Sequence, residues 1–325
     1  MSTVVESHVA HSDIKQFALD RVNLAHEDVV EQREQVNRLR ERLLRKIAAD
    51  PNYGLVKALN SGSVAKGTAL AVGGDLDLAV YVRPGSEPTN DADLPRWLLD
   101  RLLEANPNMA DEQFGLQEHA VSVTFKGTGL KVDVVAVLAA SDGTDDGYLV
   151  LKESGQQVLT NIPRHLEFIR SRKKSCPVHF RQLIRLVKWW IRLQKVADQR
   201  FRFKSFMAEL ICSHLLDGGT DMSDYPAALS AFFDYIVRTG VRERIFFTDY
   251  HPASALPPVS GCAIEMLDPV NPLNNVAVRY TETQRQLMVS AAATALDALD
   301  EAFYAATKEQ AVVAWQAVLG ASFRP

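Results

Sequence analysis

Aliphatic residues recur at every second position over 76–82, which is typical of a β-strand with one buried face. One face carries Leu76, Leu78, Val80 and Val82, and the other carries Asp75, Asp77, Ala79 and Tyr81. A preceding strand is predicted at 55–60. Segments 120–126 and 130–138 also have strand character, and the Gly127-Thr128-Gly129 turn between them predicts a hairpin.

The other apolar positions follow a helical period of three and four residues. They predict helices at about 12–23, 27–49, 94–105, 180–197, 281–306 and 308–319, and a further helix opening near 203. The Asp50-Pro51 pair ends the second of these helices. Strands lie in the first half and helices in the second, so the pattern predicts an α+β fold. We expect a mixed-sheet lobe with an N-terminal helix over 1–150 and a helical lobe over 151–325, divided after the glycine-rich stretch 141–147.

Composition limits the class of protein. The 325 residues are 47% hydrophobic and 23% charged, which indicates a globular chain with a large core. The net charge of −4 argues against a protein that binds nucleic acid over most of its surface. Cys176, Cys212 and Cys262 lack the spacing of a zinc site and are expected to be buried thiols. No leader and no apolar run of about 18 residues is present, so we expect a cytoplasmic protein without a membrane span.

Two carboxylates and a glycine-containing turn form the first candidate site. Asp75 and Asp77 point the same way on one strand, about 7 Å apart, and oxygen ligands of this kind suit Mg²⁺ or Mn²⁺. Upstream, Gly62 and Ser63 follow a strand and can cradle an anion, with Lys66 adding positive charge. The order and spacing favour a triphosphate site with its metal. An ordinary turn followed by a half-buried strand is the alternative.

Asp133 interrupts an apolar, β-branched run in the second strand of the predicted hairpin. A buried carboxylate needs a cation or a metal beside it. We therefore expect Asp133 to complete a three-carboxylate site with Asp75 and Asp77. The alternative is an edge-strand aspartate that faces water.

The helical half offers further candidate phosphate ligands. Ser205 is placed as the N-cap of a helix, with Lys204 before it and Phe206 able to stack on a base. The alternative is a routine capped core helix. Basic residues also recur along one stripe of the 180–197 helix: Arg181, Arg185, Lys188, Arg192 and Lys195.

These motifs together resemble a known superfamily. Gly62-Ser63-x-x-Lys66-Gly67-Thr68, Asp75-x-Asp77 and Asp133 resemble the polymerase-β-type nucleotidyltransferases. The 183–190 helix, Lys204-Ser205-Phe206 and the Asp268–Asn275 loop are similar to the oligoadenylate-synthetase and cyclic GMP-AMP-synthase branch. Within that branch the chain resembles the DncV-like bacterial CD-NTases of CBASS antiphage systems, of the CdnC type. The resemblance implies an active site in the cleft between a catalytic lobe and a helical lobe.

The resemblance also implies a role for each motif residue. Two Mg²⁺ ions would be held by Asp75, Asp77 and Asp133. The ATP or NTP substrate would be bound by Gly62, Ser63, Lys66, Lys188, Lys204, Ser205 and Phe206. Phe206 stands where relatives often place a tyrosine, so stacking on the donor base is kept and a hydroxyl contact is lost.

The implied activity is synthesis of a cyclic oligonucleotide second messenger, with cyclic oligoadenylate, and the trimer in particular, as the expected product. The implied partners are a HORMA-domain regulator with its AAA+ remodeller, and duplex DNA as an activator. Two other functions stay open on the residues alone. One is an RNA-tailing nucleotidyltransferase of the CCA-adding or poly(A) type, and the other is an inactive homologue that serves as a binding module.

Overall fold

The computed structural model describes residues 7–71, 76–87, 89–141, 143–152 and 154–325. Asp75 lies outside these ranges. The chain forms two compact units. The sheet unit is Leu24–Phe168, and the helical unit combines the described part of Met1–Asn23 with Ile169–Pro325. No helix among the described residues is long and apolar enough to cross a bilayer.

A seven-stranded mixed sheet forms the centre of the sheet unit. Its strands are β1 (Tyr53–Ser61), β2 (Leu76–Pro84), β3 (Phe114–Leu116), β4 (Ala120–Thr124), β5 (Lys131–Ala139), β6 (Gly147–Val150) and β7 (Gln157–Thr160). The main path runs β1-β2-β5-β4-β3, while β6 pairs with β5 and β7 pairs with β6. Only β2 and β5 are parallel among these pairs. The predicted mixed sheet and α+β class are confirmed.

Helices cover one face of this sheet and bury its aliphatic residues. The two covering helices are α2 (His26–Ile47) and α4 (Leu94–Ala105). A short helix, α3 (Gly62–Lys66), follows β1 directly. The core combines residues of β2 and α2: Leu76, Leu78, Val80, Val82, Val36, Leu39, Leu43 and Ile47. Burying each such side chain stabilises the fold by about 1.5–3 kcal/mol. The opposite face of β2 carries Asp77, Ala79 and Tyr81, as the alternation predicted.

The helical unit contains the remaining helices. They are α1 (His11–Phe17), α6 (His179–Ala197), α7 (Ser205–Asp217), α8 (Tyr225–Thr239), α9 (Glu282–Phe303) and α10 (Lys308–Leu319). The boundary between the units falls within α5 (Ile162–Ser175). Trp190 of α6 is fully buried and makes edge contacts with Phe201, Phe203 and Phe233. An aromatic cluster therefore lies at the centre of this unit.

Three details differ from the sequence expectations. The compact units do not follow the predicted division into 1–150 and 151–325, because β6 and β7 continue the sheet beyond 147 and the first described residues group with the C-terminal helices. The predicted 12–23 helix is a short α-helix followed by a π-helical turn, Ala18–Val22. Of the three cysteines only Cys212 is buried, while Cys176 and Cys262 are partly exposed.

Candidate active site

A row of residues that is mostly polar crosses the face of the sheet opposite α2 and α4. Asp77 on β2 lies directly beside Asp133 on β5, because these two residues are register partners in parallel strands. Ser61 on β1 is the other neighbour of Asp77, and Ser122 on β4 is the other neighbour of Asp133. Adjacent strands lie about 4.8 Å apart, so the two aspartates share one small patch of surface.

The turn that leaves β1 lies against Asp77. Gly62 has a φ of +68°, and a Cβ built on it would overlap the Asp77 carboxyl group. Only glycine meets both conditions without strain. The contact places the backbone of Gly62 and the start of α3 next to one of the predicted metal ligands.

The short helix α3 carries two of the predicted triphosphate ligands, Ser63 near its start and Lys66 at its end. Ser63 and Lys66 are both half-buried there. The helix ends at Gly67, which has a φ of +73°, and the Thr68 N–H donates to the Ser63 carbonyl over 2.8 Å. Such a left-handed terminus is a common way to stop a helix after few residues. The turn is thus well defined beside Asp77.

Asp133 is half-buried and is held by hydrogen bonds on the β3–β4 side. Gln117 donates its Nε2–H to Asp133 Oδ1 over 3.3 Å, and the Ser122 hydroxyl also bonds the carboxylate. Burial raises the pKa of Asp133, against the opposing effects of Ser122, Lys131, Gln117 and His119. A carboxylate whose charge is disfavoured in this way gains from a cation close by.

The donor set fits a hard divalent cation. Asp77 and Asp133 offer only oxygen ligands, and two like charges on neighbouring strands repel unless a cation lies near them. Within the described ranges no group of three or more His, Cys, Asp and Glu side chains is close enough to hold a metal. The third predicted ligand, Asp75, is outside those ranges, so the three-carboxylate site stays a prediction.

Lys188, a predicted phosphate ligand in the helical unit, lies in a buried ion pair. Its Nζ is 3.7 Å from Glu209 Oε1, and the side chains of Lys188 and Glu209 are only 8% and 3% exposed. The sequence analysis did not predict this pairing. The available signal was a lysine and a glutamate on consecutive helices, each between apolar neighbours in sequence.

Lys204, Ser205 and Phe206 open α7, but the cap differs from the prediction. Lys204 is the N-cap and Ser205 is the first helical residue, with no side-chain cap hydrogen bond. The prediction of Ser205 as N-cap is wrong by one position, because Lys204 has the extended backbone that ends the preceding segment. Ser205 is exposed and Phe206 is half-buried, so both can be reached by a ligand.

Lys204 is attached to the loop that follows Asp268. Its Nζ donates to the Val276 carbonyl over 2.9 Å, and its backbone N–H donates to the Tyr280 hydroxyl over 3.0 Å. Asp268 is buried and accepts from the Val270 N–H over 2.9 Å, which shapes the start of the loop. The predicted turn-rich loop therefore supports the N-terminus of α7.

Curated proteins similar to this chain share one activity. The chain is 45% identical over 317 residues to a cyclic AMP-AMP-AMP synthase of Escherichia coli strain MS 115-1, covering 98% of both proteins. It is 32% identical over 261 residues to the CBASS oligonucleotide cyclase CdnC of E. coli strain KTE188, covering 78% of this chain and 80% of that protein. The chain belongs to the CdnC-type oligonucleotide cyclases. It is therefore a nucleotidyltransferase by family, and no family model matches it.

Solved structures agree with this membership. The cyclase superposes with a TM-score of 0.87 on E. coli MS115-1 CdnC, both in a complex with HORMA-deltaN and in a structure with ATP, at 45% identity. These matches cover 98% of this chain and 99% and 100% of the two solved chains. Vibrio cholerae DncV in its GTP-bound form matches with a TM-score of 0.75 at 12% identity, covering 98% of this chain and 96% of that one. At that identity the match shows the fold alone.

Proposed function

We propose that this cyclase joins ATP into a cyclic oligoadenylate, the cyclic trimer, with release of pyrophosphate at each step. The relative that is 45% identical over nearly the whole chain is a cyclic AMP-AMP-AMP synthase. The observation that carries the proposal is the placement of Asp77 beside Asp133, with the Gly62 turn against Asp77. This arrangement brings two carboxylates and the Gly62 turn to one patch of the sheet, where the turn would bind the triphosphate.

Asp77 and Asp133, together with Asp75, would hold two Mg²⁺ ions, or Mn²⁺ in their place. When bound, the metal supplies Lewis-acid activation of the attacking ribose hydroxyl and offsets negative charge on the leaving pyrophosphate. Asp133 is held by hydrogen bonds from Gln117 and Ser122, so its carboxylate is positioned to accept the hydroxyl proton. Gly62 leaves the approach to Asp77 open to the triphosphate, since any side chain there would block it.

The remaining ligands of the triphosphate and base are proposed on the family resemblance. Ser63 near the start of α3 and Lys66 at its end would contact phosphate oxygens. In the helical unit the proposed contacts are Lys188, Lys204, Ser205 and Phe206. The Glu209 carboxylate would position the ammonium group of Lys188. The Val276 carbonyl would position the ammonium group of Lys204.

We further propose a HORMA-domain regulator as a partner, since a solved relative is a complex with HORMA-deltaN. An AAA+ remodeller and a duplex DNA activator stay predictions from the family resemblance, as does the cytoplasmic location. Basic groups on α2 are the proposed DNA contacts. Of these, Arg38 lies 3.6 Å from Glu34 in an exposed pair, which binding of a polyanion could displace at little cost.

The decisive experiment is incubation with radiolabelled NTPs and Mg²⁺, with and without a HORMA-domain partner. Phosphatase treatment and mass spectrometry then identify the products. A phosphatase-resistant triadenylate ring is the expected result. The Asp75→Asn/Asp77→Asn double variant should make no product, while Asp100→Asn, which alters an exposed surface pair, should match the wild type. Linear tails formed only on added RNA would instead establish the tailing activity.

A further inference from the structure

One histidine attaches the first helix of the chain to the rest of the helical unit. His11 begins α1, and its Nδ1 accepts a hydrogen bond from the Tyr225 N–H over 3.2 Å. Tyr225 is the first residue of α8, and the first N–H groups of a helix have no partner within it. Asp224, the N-cap of α8, accepts from the Ala227 N–H over 3.1 Å. His11 and Asp224 therefore cap the same helix end, and His11 does so from another element.

Two aromatic side chains lie against the His11 imidazole. Its ring centre is 4.2 Å from that of Tyr225 in a stacked arrangement, with 28° between the two planes. The His179 ring, at the start of α6, lies 5.7 Å from His11 and 5.5 Å from Tyr225. His11 is partly exposed and lines a cavity of about 750 Å³ bordered by α8 and α9. These contacts position the imidazole and still leave it open to protons from the solvent.

The hydrogen bond determines the protonation state of His11. A ring nitrogen that accepts an N–H bond carries no proton, so the proton of the neutral imidazole lies on Nε2. In a protonated imidazole both nitrogens are donors, and the Nδ1 proton would then face the Tyr225 N–H. The N-terminus of α8 also carries a partial positive charge, which disfavours a cation beside it. A proton added to His11 therefore breaks the contact between the starts of α1 and α8.

Charged and titratable groups near this contact come from several elements. They are Asp13 and Lys15 of α1, Cys176 before α6, His179 and Arg185 of α6, Asp221 and Asp224 before α8, and Asp300 of α9. Burial lowers the pKa of His11 most, and the nearby His179 lowers it further. Asp224 opposes this shift and Lys15 adds to it, so the pKa of His11 stays below its ordinary value.

We propose that His11 is a pH-sensitive latch, which holds the start of α1 on the start of α8 when neutral and releases it when protonated. Every residue of the latch belongs to the helical unit, so the latch would operate whether or not the proposed cyclisation is correct. Farther along, Asn23 and Gln182 exchange two side-chain hydrogen bonds, over 2.9 and 3.0 Å, and neither side chain titrates. Acid should therefore loosen residues 7–17 and leave 18–23 in place.

The direction of the pH effect follows from the lowered pKa of His11. When the start of α1 is released, the imidazole is solvated and titrates near its ordinary value, about 6.5. The closed latch binds a proton less readily than the open one, so acid favours opening. The stabilisation by the latch is complete well above about pH 6.5. It is lost as the pH falls from there through the lower pKa of the closed form.

Hydrogen exchange of the full chain, followed by NMR between about pH 7.5 and 5.5, measures this opening. Protection factors are corrected for the intrinsic effect of pH on exchange. The Tyr225 amide, which donates to His11, should lose about fivefold of its protection, as expected for loss of one capping hydrogen bond. The Asn23 amide, which donates to the Ala18 carbonyl over 2.8 Å, is the internal control and should keep its protection. Equal losses at both amides, or no loss at Tyr225, would overturn the proposal.

Two variants separate the latch from other effects of acid. His11→Asn keeps an oxygen acceptor in the place of Nδ1 but gains no proton in this range, so the protection of the Tyr225 amide should not depend on pH. His8→Asn is the matched control, because His8 is an exposed histidine of the same segment, and it should reproduce the wild type. Loss of protection in His11→Asn to the wild-type extent would reject His11 as the titrating group, as would a His8→Asn variant without the pH dependence.

A second readout uses the wild-type chain alone. The ¹⁵N shifts of the His11 ring report which nitrogen carries the proton. At about pH 7.5 Nδ1 should have the shift of an unprotonated nitrogen, and the ring should titrate with one midpoint, below about 6.5, that the Tyr225 amide shift shares. A proton on Nδ1 at the higher pH, or different midpoints for the ring and the Tyr225 amide, would contradict the latch.

Discussion

Gly62 lies against the Asp77 carboxyl group, and this contact determines which residue can occupy position 62. Two requirements coincide there, a positive φ and the absence of a side chain. Gly129 has nearly the same φ, +67°, but open space where its Cβ would be. The two glycines therefore allow backbone strain to be separated from contact with the site.

We expect Gly62→Ala to reduce nucleotide incorporation at least about 100-fold, because the methyl group must displace Asp77 from its position in the row. The backbone strain should also cost about 1–3 kcal/mol in the free energy of unfolding. Gly129→Ala should show a similar strain cost with activity close to wild type. Initial rates of pyrophosphate release and urea unfolding measure the two effects, and equal losses of activity in both variants would contradict the assignment.

Asp50 is a second residue whose role depends on its neighbours. It lies three residues after the end of α2, and its side chain is fully buried. It accepts from Trp97 Nε1 over 3.1 Å, from Arg101 over 2.7 Å and from the Asn52 N–H over 2.7 Å. Burial alone would raise the pKa of Asp50, but these hydrogen bonds and Arg101 lower it overall. Asp50 thus connects α2 and β1 to α4.

Asp50→Asn should lower the free energy of unfolding by about 1–3 kcal/mol at pH 7, because the half-buried Arg101 and the Trp97 indole lose a charged hydrogen-bond acceptor. A carboxylate with a depressed folded-state pKa stabilises the fold above its unfolded pKa, near 3.9, and loses that contribution as the pH falls through the folded value. The difference between variant and wild type should therefore shrink below about pH 4. Urea unfolding of both proteins at pH 7, 5 and 3.5 tests this prediction. A difference in the free energy of unfolding that stays the same at all three pH values would contradict it.

At the scale of elements, α6 combines a basic stripe with a buried face. Several of its cations make contacts within the helical unit. Arg185 donates to Gln182 over 3.1 Å, Lys188 pairs with Glu209, and Arg192 lies 5.7 Å from the ring centre of Trp189. These contacts restrain the stripe, so α2 is the better candidate for the proposed contact with duplex DNA.

The Lys188–Glu209 pair joins α6 to α7 and permits a charge-swap experiment. Glu209→Gln should reduce stability by about 3–5 kcal/mol, because it removes a carboxylate that lies 3.7 Å from a buried ammonium group. The swap Lys188→Glu with Glu209→Lys should recover most of that stability. It should not recover synthesis if Lys188 binds phosphate, because the reversed pair places a carboxylate where the ammonium was. Recovery of both properties would show that the pair is only structural.

At the scale of the whole molecule, each compact unit has its own hydrophobic core, and the candidate metal ligands lie on the sheet face away from the helices α2 and α4. The described fold therefore does not depend on a metal for its core. We expect a bound metal instead to offset the repulsion between the carboxylates of Asp77 and Asp133.

Chelation with EDTA should abolish synthesis while the protein stays folded, and Mg²⁺ or Mn²⁺ should restore it. In the presence of a non-hydrolysable ATP analogue, adding Mg²⁺ should raise the unfolding temperature, since a ligand that binds only the folded state stabilises it. Asp77→Asn should remove most of that rise. If calorimetry shows that Mg²⁺ raises the unfolding temperature of Asp77→Asn as much as that of the wild type, the metal binds elsewhere.

Much of this protein can be read from its sequence because the decisive patterns are local. The alternation over 76–82 sets the faces of β2 correctly, the 94–105 helix has the predicted bounds, and the motif residues identify the family. Strand period, helix period and glycine-containing turns involve residues close together in the chain, and their physics is the same in any fold.

Other features were decided by tertiary structure, because they join residues far apart in the chain. No local pattern places Asp77 beside Asp133, pairs Lys188 with Glu209, or extends the sheet through β6 and β7. Likewise, Gln117 is an ordinary polar residue in sequence and becomes a neighbour of Asp133 only when β4 pairs with β5. The sequence alone determined which residue types the candidate site contains. Strand order and packing determined which of these groups stand next to one another, since those contacts form only when distant segments meet.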